Sequence, residues 1–252
     1  FNNIAFGHTW SDTTGFSFNF GGLIDLENLS FNTVDGFVYG LDFRISKSWK
    51  KNRSFTFAPE VKWAFSRQEP MVRFSSFYSF NRMKQMQLFL TAGTSSRDIS
   101  TGGSINPWLN SISSLFFKRN YLKLYDSRYL TFGYRTEITN GLNLELSVGY
   151  NNRRLLDNNT KFAIIKSSKE YSDNIPDNSY LDSTSNPIYA LRNQNHFYFT
   201  ANIVYTPRQR YRIYNGTKVS RGSDWPTLVL NWKHGLNEFP DSLGGNKHFD
   251  MI

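Results

Sequence analysis

The sequence predicts an all-β fold: an antiparallel transmembrane β-barrel, of which about ten strands lie in these 252 residues. Three observations predict it. Apolar and polar residues alternate with a period of two, the alternating segments are long, and short connections alternate with long ones. Residues 1–252 are therefore interpreted as part of a single barrel domain, with long external loops near 96–127 and 154–194.

Alternation is clearest in residues 37–45 and 142–150, where every second side chain is apolar. In a β-strand this spacing gives one apolar face and one polar face. Two residues break the rule. Pro59 falls on an apolar face, where it implies a bulge or a lost hydrogen bond, and Phe89 falls on a polar face. Less regular segments occur at about 2–10, 15–22, 55–65, 72–81, 87–93, 130–137, 196–205 and 228–233.

Segment length and composition both favour a membrane strand. Several alternating segments run for roughly 9–13 residues, whereas globular strands average about 5–6 residues and membrane strands need about 9–11. Aromatic residues make up 17% of the chain, yet the mean hydropathy is -0.50, because each apolar position is averaged with a polar neighbour. No apolar run approaches the roughly 18 residues of a membrane helix. Cysteine is absent, which excludes disulfides and thiolate chemistry.

The connections alternate in length as those of an outer-membrane barrel do. Short links are expected at about 11–14, 50–53, 82–85 and 139–141, the last with the hairpin signal Asn140-Gly141. Long links fall at about 23–35, 96–127 and 154–194, with a short exception at 67–70. The long, basic link at 207–224 breaks the alternation. Either it is atypical, or it contains a strand pair near Tyr211 and Tyr214.

Two segments do not look like strands. In residues 105–127, Trp108, Ile112 and Phe116 recur at helical spacing after Asn106-Pro107, which predicts a short helix or a folded-in loop. This segment is interpreted either as a plug or gate or as a loop packed on the barrel rim, and the second interpretation is favoured. Residues 166–195, rich in Ser, Asn, Asp and Pro, are interpreted as an exposed external loop.

Charged residues on the polar positions of long strands are the candidate lumen-facing site. At mid-depth on a lipid face, Arg or Lys would cost about 2–4 kcal/mol each, so these residues must face water or one another. A cross-strand ion-pair network and a selectivity lining both fit, and the mixed signs favour the network. The candidates are Asp42, Arg44, Glu60, Lys62, Arg135, Glu137 and Glu145.

Aromatic residues near strand ends suit an interfacial girdle, although ordinary packing is an alternative for each. They are Trp10, Trp49, Tyr129, Tyr150, Tyr205 and Trp225. The net charge of +9 is dispersed over turns and loops. This dispersion favours outer-membrane lipid and lipopolysaccharide as partners, not nucleic acid, and the cluster at 50–53 is interpreted as a solvated turn.

Catalytic chemistry has little support in the sequence. His8, His196, His234 and His248 have no metal-ligand spacing, and Gly102-Gly103 lacks the helix and lysine of a phosphate loop. We therefore expect no enzymatic activity, no cofactor and no metal. A membrane-embedded hydrolase using His8 or His196 is retained as an alternative.

Residues 31–43, 106–158 and 205–236 resemble one family, most specifically in Asn-Thr-Val-Asp-Gly at 32–36 and Asn-Asn-Arg-Arg-Leu-Leu-Asp-Asn at 151–158. It is the Bacteroidota outer-membrane family of domain of unknown function 5686, whose longer members carry a carboxypeptidase-regulatory-like domain. The resemblance implies a TonB-independent barrel region in a piece of a longer protein, with that domain upstream and more strands downstream. It supplies no catalytic residues.

The function expected from the sequence is an accessory or scaffold subunit of an outer-membrane assembly in a Gram-negative bacterium of the Bacteroidota. Other outer-membrane proteins or lipoproteins would be its partners. A transport channel is the main alternative. A secreted β-sandwich that binds glycans through exposed aromatic residues is a further one.

Overall fold

The computed structural model describes residues 2–24, 28–49, 52–99, 105–165, 168–174, 193–214 and 216–236. These residues form two short helices and thirteen strands. The elements are α1 (Asn2–Ala5), β1 (His8–Ser11), β2 (Phe16–Phe20), β3 (Leu29–Asn32), β4 (Gly36–Trp49), β5 (Arg53–Ala64), β6 (Glu69–Asn81), β7 (Met86–Asp98), α2 (Pro107–Phe117), β8 (Leu124–Thr139), β9 (Leu142–Leu155), β10 (Gln194–Tyr205), β11 (Arg210–Tyr214), β12 (Thr217–Gly222) and β13 (Leu228–Leu236).

Eleven strands form one antiparallel sheet. Its order is β1-β2-β4-β5-β6-β7-β8-β9-β10-β13, with β3 pairing along β4 beyond the end of β2. The predicted all-β antiparallel fold is confirmed. Among the described residues the sheet is open, since β1 and β13 each pair on one side only. Neither described helix has the length and apolar character that a membrane crossing requires.

The strand register keeps the predicted faces aligned across the sheet. Leu41 lies opposite Val61, which lies opposite Val72, so apolar residues follow one another from strand to strand. The same face continues to Trp10 in β1 and to Trp232 in β13. We call this the apolar face and the opposite one the polar face.

The two residues that break the alternation have different outcomes. The pairing of β4 with β5 skips the positions opposite Pro59 and Ala58 but keeps its register, so Pro59 interrupts the ladder without a bulge. Phe89 does lie on the polar face. There its ring covers Gly133, where an added Cβ would lie 2.2 Å from the Cζ atom of Phe89. Glycine is therefore needed beneath this ring.

The apolar face is not covered by other described parts of the chain. Phe132 and Val148, in the middle of neighbouring strands, are 47% and 53% exposed. The two clusters of buried apolar residues lie instead at one end of the sheet. They consist of Val34, Leu122 and Leu124 with Leu156, and of Val38, Ala64 and Met71.

Short connections lie at one end of the sheet, which we call the turn end, and mostly long ones at the other, the loop end. The turns at 82–85 and 140–141 lie at the turn end, where Gly141 has the positive φ of +82° that its tight turn needs. The predicted loops near 96–127 and 154–194 lie at the loop end but are shorter, spanning 99–123 and 156–193. Residues 100–104, 166–167 and 175–192 of these loops, and Lys50 and Lys51 of the basic turn, lie outside the described residues.

Three expectations about secondary structure need correction, and one alternative that the sequence left open is resolved. Residues 2–5, expected in a strand, form α1, and β3 lies inside the expected loop 23–35. These elements have four residues each, too few to show a period. The helix starting at Asn106-Pro107 is confirmed, but it ends at Phe117 and residues 124–127 belong to β8. The missed strand pair in 207–224 is confirmed as β11 and β12, a hairpin separate from the main sheet.

Candidate functional site: the polar face and its two ends

The polar face carries the seven predicted charged positions, and neighbouring strands bring several of them together. In the first cluster, the carboxylate of Glu60 lies 2.7 Å from Nζ of Lys62 and is also paired with the guanidinium of Arg73. Arg73 lies directly opposite Glu60 on β6. It was absent from the predicted set, although its polar position in the alternation could have identified it.

A second cluster joins β8 to β9. Nε of Arg135 donates to Oε2 of Glu145 at 2.7 Å, and the two residues lie directly opposite each other. Asp42 accepts a hydrogen bond of 2.9 Å from the side chain of Asn28. Arg44 lines a shallow cavity of about 530 Å³ on this face, together with Asp42 and Glu60. Among these contacts, Glu60 with Arg73 and Arg135 with Glu145 form ion pairs between neighbouring strands, whereas Glu60 with Lys62 joins two residues of β5.

At the loop end, residues 32–36 form a buried turn that we call the Asn32 turn. The Asn32 side chain accepts hydrogen bonds from the backbone N–H groups of Val34 (2.9 Å) and Asp35 (2.7 Å). Thr33 and Val34 are fully buried. An Asn side chain bonded to the backbone two and three residues later stabilises a tight turn, so the local sequence specifies this conformation.

Remote segments converge on the Asn32 turn. The Thr33 hydroxyl accepts a hydrogen bond from Asn120, in the linker after α2, and donates one to Asn158, in the linker after β9, both at 2.6 Å. The side chain of Asn159 donates to the carbonyl of Val34 at 2.9 Å. Because β4 is separated from β8 and β9 by three or more strands in the sheet, these bonds connect parts of the sheet that do not pair with each other.

A buried ionic cluster lies beside this turn. The Arg67 side chain is only 7% exposed, and its Nε atom is 3.4 Å from Oδ1 of Asp35, while its Nη1 atom is 3.7 Å from Oδ1 of Asp126. The Ser96 hydroxyl donates to Asp35 at 2.9 Å. Burial raises the pKa of the Asp35 carboxyl above its ordinary value, and the positive charge of Arg67 opposes this rise.

The hairpin of β11 and β12 covers the turn end. Lys218 on this hairpin forms an ion pair with Glu137 of β8, and both side chains are less than one-tenth exposed. The carbonyl of Gly216, at the tip of the hairpin, accepts a hydrogen bond of 3.0 Å from Asn52 in the turn between β4 and β5. The hairpin therefore reaches from the β8–β9 side of the sheet to the β4–β5 side. Glu137, predicted among the lumen-facing charges, serves as its anchor.

Between the Asn32 turn and the polar face lies a cavity of about 380 Å³. Its lining includes Asp35, Lys62, Arg73, Arg97 and Tyr129. The described part of the polar face thus has two clusters of paired charges, around Glu60 and around Glu145, and a basic group of Arg153, His196 and Lys233. Segments of the same chain lie over both ends.

A family model described as "Family of unknown function (DUF5686) C-terminal domain" matches residues 2–252. The chain belongs to this family. The predicted resemblance is thus confirmed at the level of the family. No curated protein and no solved structure matches this DUF5686 C-terminal domain.

The two most specific patches of the resemblance meet in the structure of the DUF5686 domain. Thr33 from the first patch bonds to Asn158 from the second, and Leu156 packs against the cluster that contains Val34. The sequence identified both patches but not their contact. In the sequence, both patches are rich in Asn and Asp near strand ends. This composition indicates polar contacts there but does not show which strand ends contact each other.

The six predicted interfacial aromatics are placed differently. Trp10, Trp49 and Tyr205 lie on the apolar face near the turn end, and Tyr150 lies on the same face toward the loop end. Tyr129 requires a correction. It lies on the polar face, because it is an even number of residues away from Arg135 on the same strand. There the guanidinium of Arg97 lies 4.1 Å from the centre of the Tyr129 ring. Trp225 lies in the link before β13, outside the main sheet.

The histidines of the hydrolase alternative are dispersed in the DUF5686 domain. His8 lies on the apolar face against Trp10, with ring centres 4.8 Å apart, and His234 stacks on Trp232 on that face. His196 lies on the polar face, and His248 lies outside the described residues. Within the described ranges, no group of three or more His, Asp or Glu residues is arranged to hold a metal ion.

Proposed function

We propose that this domain is part of a transmembrane β-barrel in the outer membrane of a Gram-negative bacterium, where it acts as an accessory or scaffold subunit of an outer-membrane assembly. The observation that supports this proposal is the uncovered apolar face. It extends from β1 to β13, and its large side chains, including Phe132, Val148, Leu130 and Leu230, are each about half exposed. Soluble monomers rarely expose apolar patches larger than a few hundred Å².

Hydrocarbon is a suitable environment for this face. Long strands with apolar residues on one side and polar residues on the other match the pattern of membrane barrels. In hydrocarbon an open sheet edge would leave backbone groups unpaired at a cost of several kcal/mol each. The edges of β1 and β13 that are unpaired among the described residues would therefore need pairing with further strands, from the same protein or from a neighbouring subunit.

The paired charges and the covered ends favour a scaffold over an open channel. The ion pairs of Glu60 and Glu145 neutralise charge that a selectivity lining would present to a passing ion. At the turn end, the hairpin carrying Lys218 crosses from Glu137 to the turn at Asn52. The proposed partners are outer-membrane lipid, lipopolysaccharide and other outer-membrane proteins or lipoproteins. We propose no enzymatic activity.

Fractionation and conductance test this proposal together. The full-length protein should fractionate with the outer membrane and migrate faster on a gel before heating than after it. After purification and insertion into planar bilayers, it should give no stable open current, since the segments over both ends of the polar face would obstruct the passage of ions. A stable ohmic current would contradict the scaffold role and support the channel alternative. Recovery of the folded protein from the soluble fraction without detergent would contradict the membrane location.

A further inference from the structure

Helix α2 has its polar side buried and its apolar side exposed, the reverse of an ordinary surface helix. Asn110 and Ser114 are completely buried, and Ser111 is nearly so. On the other side, Leu109 and Phe117 are 60% and 62% exposed, and Trp108, Ile112 and Phe116 are about 40% exposed.

The buried side of α2 is fixed by hydrogen bonds. The Asn110 side chain donates to Asn120 at 2.8 Å and accepts from the backbone of Tyr121 at 2.9 Å. Ser111 accepts from the backbone N–H of Phe31 in β3 at 2.7 Å. Because these polar groups would lose their partners if the helix rotated, the apolar side cannot turn inward without a loss of hydrogen bonds. The hydrogen bonds of the polar side therefore keep the apolar side of α2 exposed.

Neighbouring residues enlarge the exposed apolar surface. The backbone N–H of Ile164 donates to the carbonyl of Leu115 at 2.9 Å, and this bond brings Ile164 and Ile165, each about half exposed, beside α2. We call this surface the α2 patch. Its members are Trp108, Leu109, Ile112, Phe116, Phe117, Ile164 and Ile165.

Positive charge accompanies the patch. Residues 105–123 contain Lys118, Arg119 and Lys123 and no acidic residue. Lys118 and Arg119 follow the last turn of α2 directly, and Arg119 is exposed. Exposed aromatic and aliphatic side chains next to basic residues are typical of helices that lie in a membrane interface with anionic headgroups.

We propose that α2 is an interfacial helix whose α2 patch enters the headgroup and upper acyl region of an anionic lipid layer at the loop end of the sheet. This inference rests on the proposed membrane location of the sheet and adds a lipid-binding site to it. The exposed Arg119 would contact lipid phosphate groups, and Lys118, whose Nζ atom donates to the carbonyl of Lys169 at 3.1 Å, would add positive charge beside it. Because the lipid would cover side chains that now face water, the patch would need no protein partner.

The experiment places one fluorescent label at a time in the full-length protein, reconstituted in phosphatidylcholine vesicles with and without phosphatidylglycerol. The chain has no cysteine, so each introduced cysteine is the single labelling site within these 252 residues. Leu109→Cys tests the α2 patch, Phe132→Cys tests the apolar face of the sheet, and Asp157→Cys is an exposed control in a neighbouring linker. Each label is quenched from the lipid by brominated acyl chains and from water by iodide.

We expect the labels at positions 109 and 132 to be quenched by brominated lipid and shielded from iodide, with the opposite result at position 157. Quenching at position 109 should be stronger with phosphatidylglycerol. The double variant Lys118→Asn/Arg119→Gln should remove this dependence on anionic lipid, and Asn suits position 118 because the backbone there has a φ of +50°.

Three outcomes separate the two proposals. Brominated-lipid quenching at position 132 with iodide access at position 109 would overturn the interfacial helix alone. Shielding of position 109 from both quenchers would also overturn it, since protein would then cover the patch. Iodide access at both positions 109 and 132 would overturn the membrane location of the sheet.

Discussion

Single residues at the loop end illustrate how burial can make stability depend on pH. Asp35 is buried against Arg67 and Ser96, and the loss of hydration raises the pKa of its carboxyl despite the nearby guanidinium. A carboxyl with a raised pKa in the folded state binds its proton more tightly there than in the unfolded chain. The stabilising contribution of Asp35 to the free energy of unfolding is therefore complete at a pH below the pKa that this carboxyl has in the unfolded chain. The contribution is lost as the pH rises through the higher pKa of the folded state.

The variant Asp35→Asn should remove this dependence. We expect the wild-type free energy of unfolding to fall between pH 4 and the raised pKa of Asp35, and the slope in this range to be reduced in the variant, since Asn does not titrate. Denaturant unfolding in detergent at several pH values measures the slope, with the exposed Asp157→Asn as the control. Equal slopes for wild type and Asp35→Asn would contradict the assignment.

For single residues, the positions of the charged side chains on the polar face were predictable, because the alternation of apolar and polar residues alone determines which face a residue occupies. Glu60, Arg135 and Glu145 followed directly from that rule. The contacts of the Asn32 turn were not predictable, because Thr33 and Asn158 are 125 positions apart and no periodic pattern connects them. Tyr129 shows a further limit. Its strand parity was visible, but its place near a strand end suggested a membrane interface.

The hairpin of β11 and β12 is attached to the main sheet by a buried ion pair and by hydrogen bonds at its base and its tip. Lys218 and Glu137 are both buried, and Asn140 adds a hydrogen bond of 2.6 Å to the carbonyl of Gln209 at the base of the hairpin. Removal of one partner from a buried ion pair typically costs about 3–5 kcal/mol, because the remaining charge is left without compensation.

The variant Lys218→Met should therefore release the hairpin. We expect faster amide hydrogen exchange at residues 210–222, with little change in β8 and β9, since Glu137 regains hydration once the hairpin moves away. Mass-spectrometric exchange measures both regions, and Arg212→Gln, an exposed change on the same hairpin, is the matched control. Unchanged exchange in Lys218→Met would show that the ion pair does not hold the hairpin.

Long strands were predictable as elements because ten or more alternating residues define their period and their faces. Helix α2 was predictable from Asn106-Pro107 and from the helical spacing of Trp108, Ile112 and Phe116. Its orientation was not, because the apolar residues of a helix normally face a protein core and here they face outward. The four residues of α1 and the four of β3 are too few for any period.

For the whole molecule, the fold follows from the alternation, whereas closure of the sheet depends on strands that pair with the edges of β1 and β13. The buried apolar clusters are small and lie at the loop end. The apolar face of the sheet, which runs from β1 to β13, therefore remains exposed over most of its length. Its surroundings determine whether the protein is a membrane barrel or a soluble sheet.

A cysteine scan along β9 in lipid vesicles tests the contact of this face with hydrocarbon most directly. One label at a time is placed at residues 143–148, and quenching by brominated lipid is compared with quenching by iodide in water. We predict a period of two. Leu144, Leu146 and Val148 should be quenched from the lipid, and Asn143, Glu145 and Ser147 should not. Equal access of iodide to all six positions, or lipid quenching without alternation, would contradict the membrane barrel.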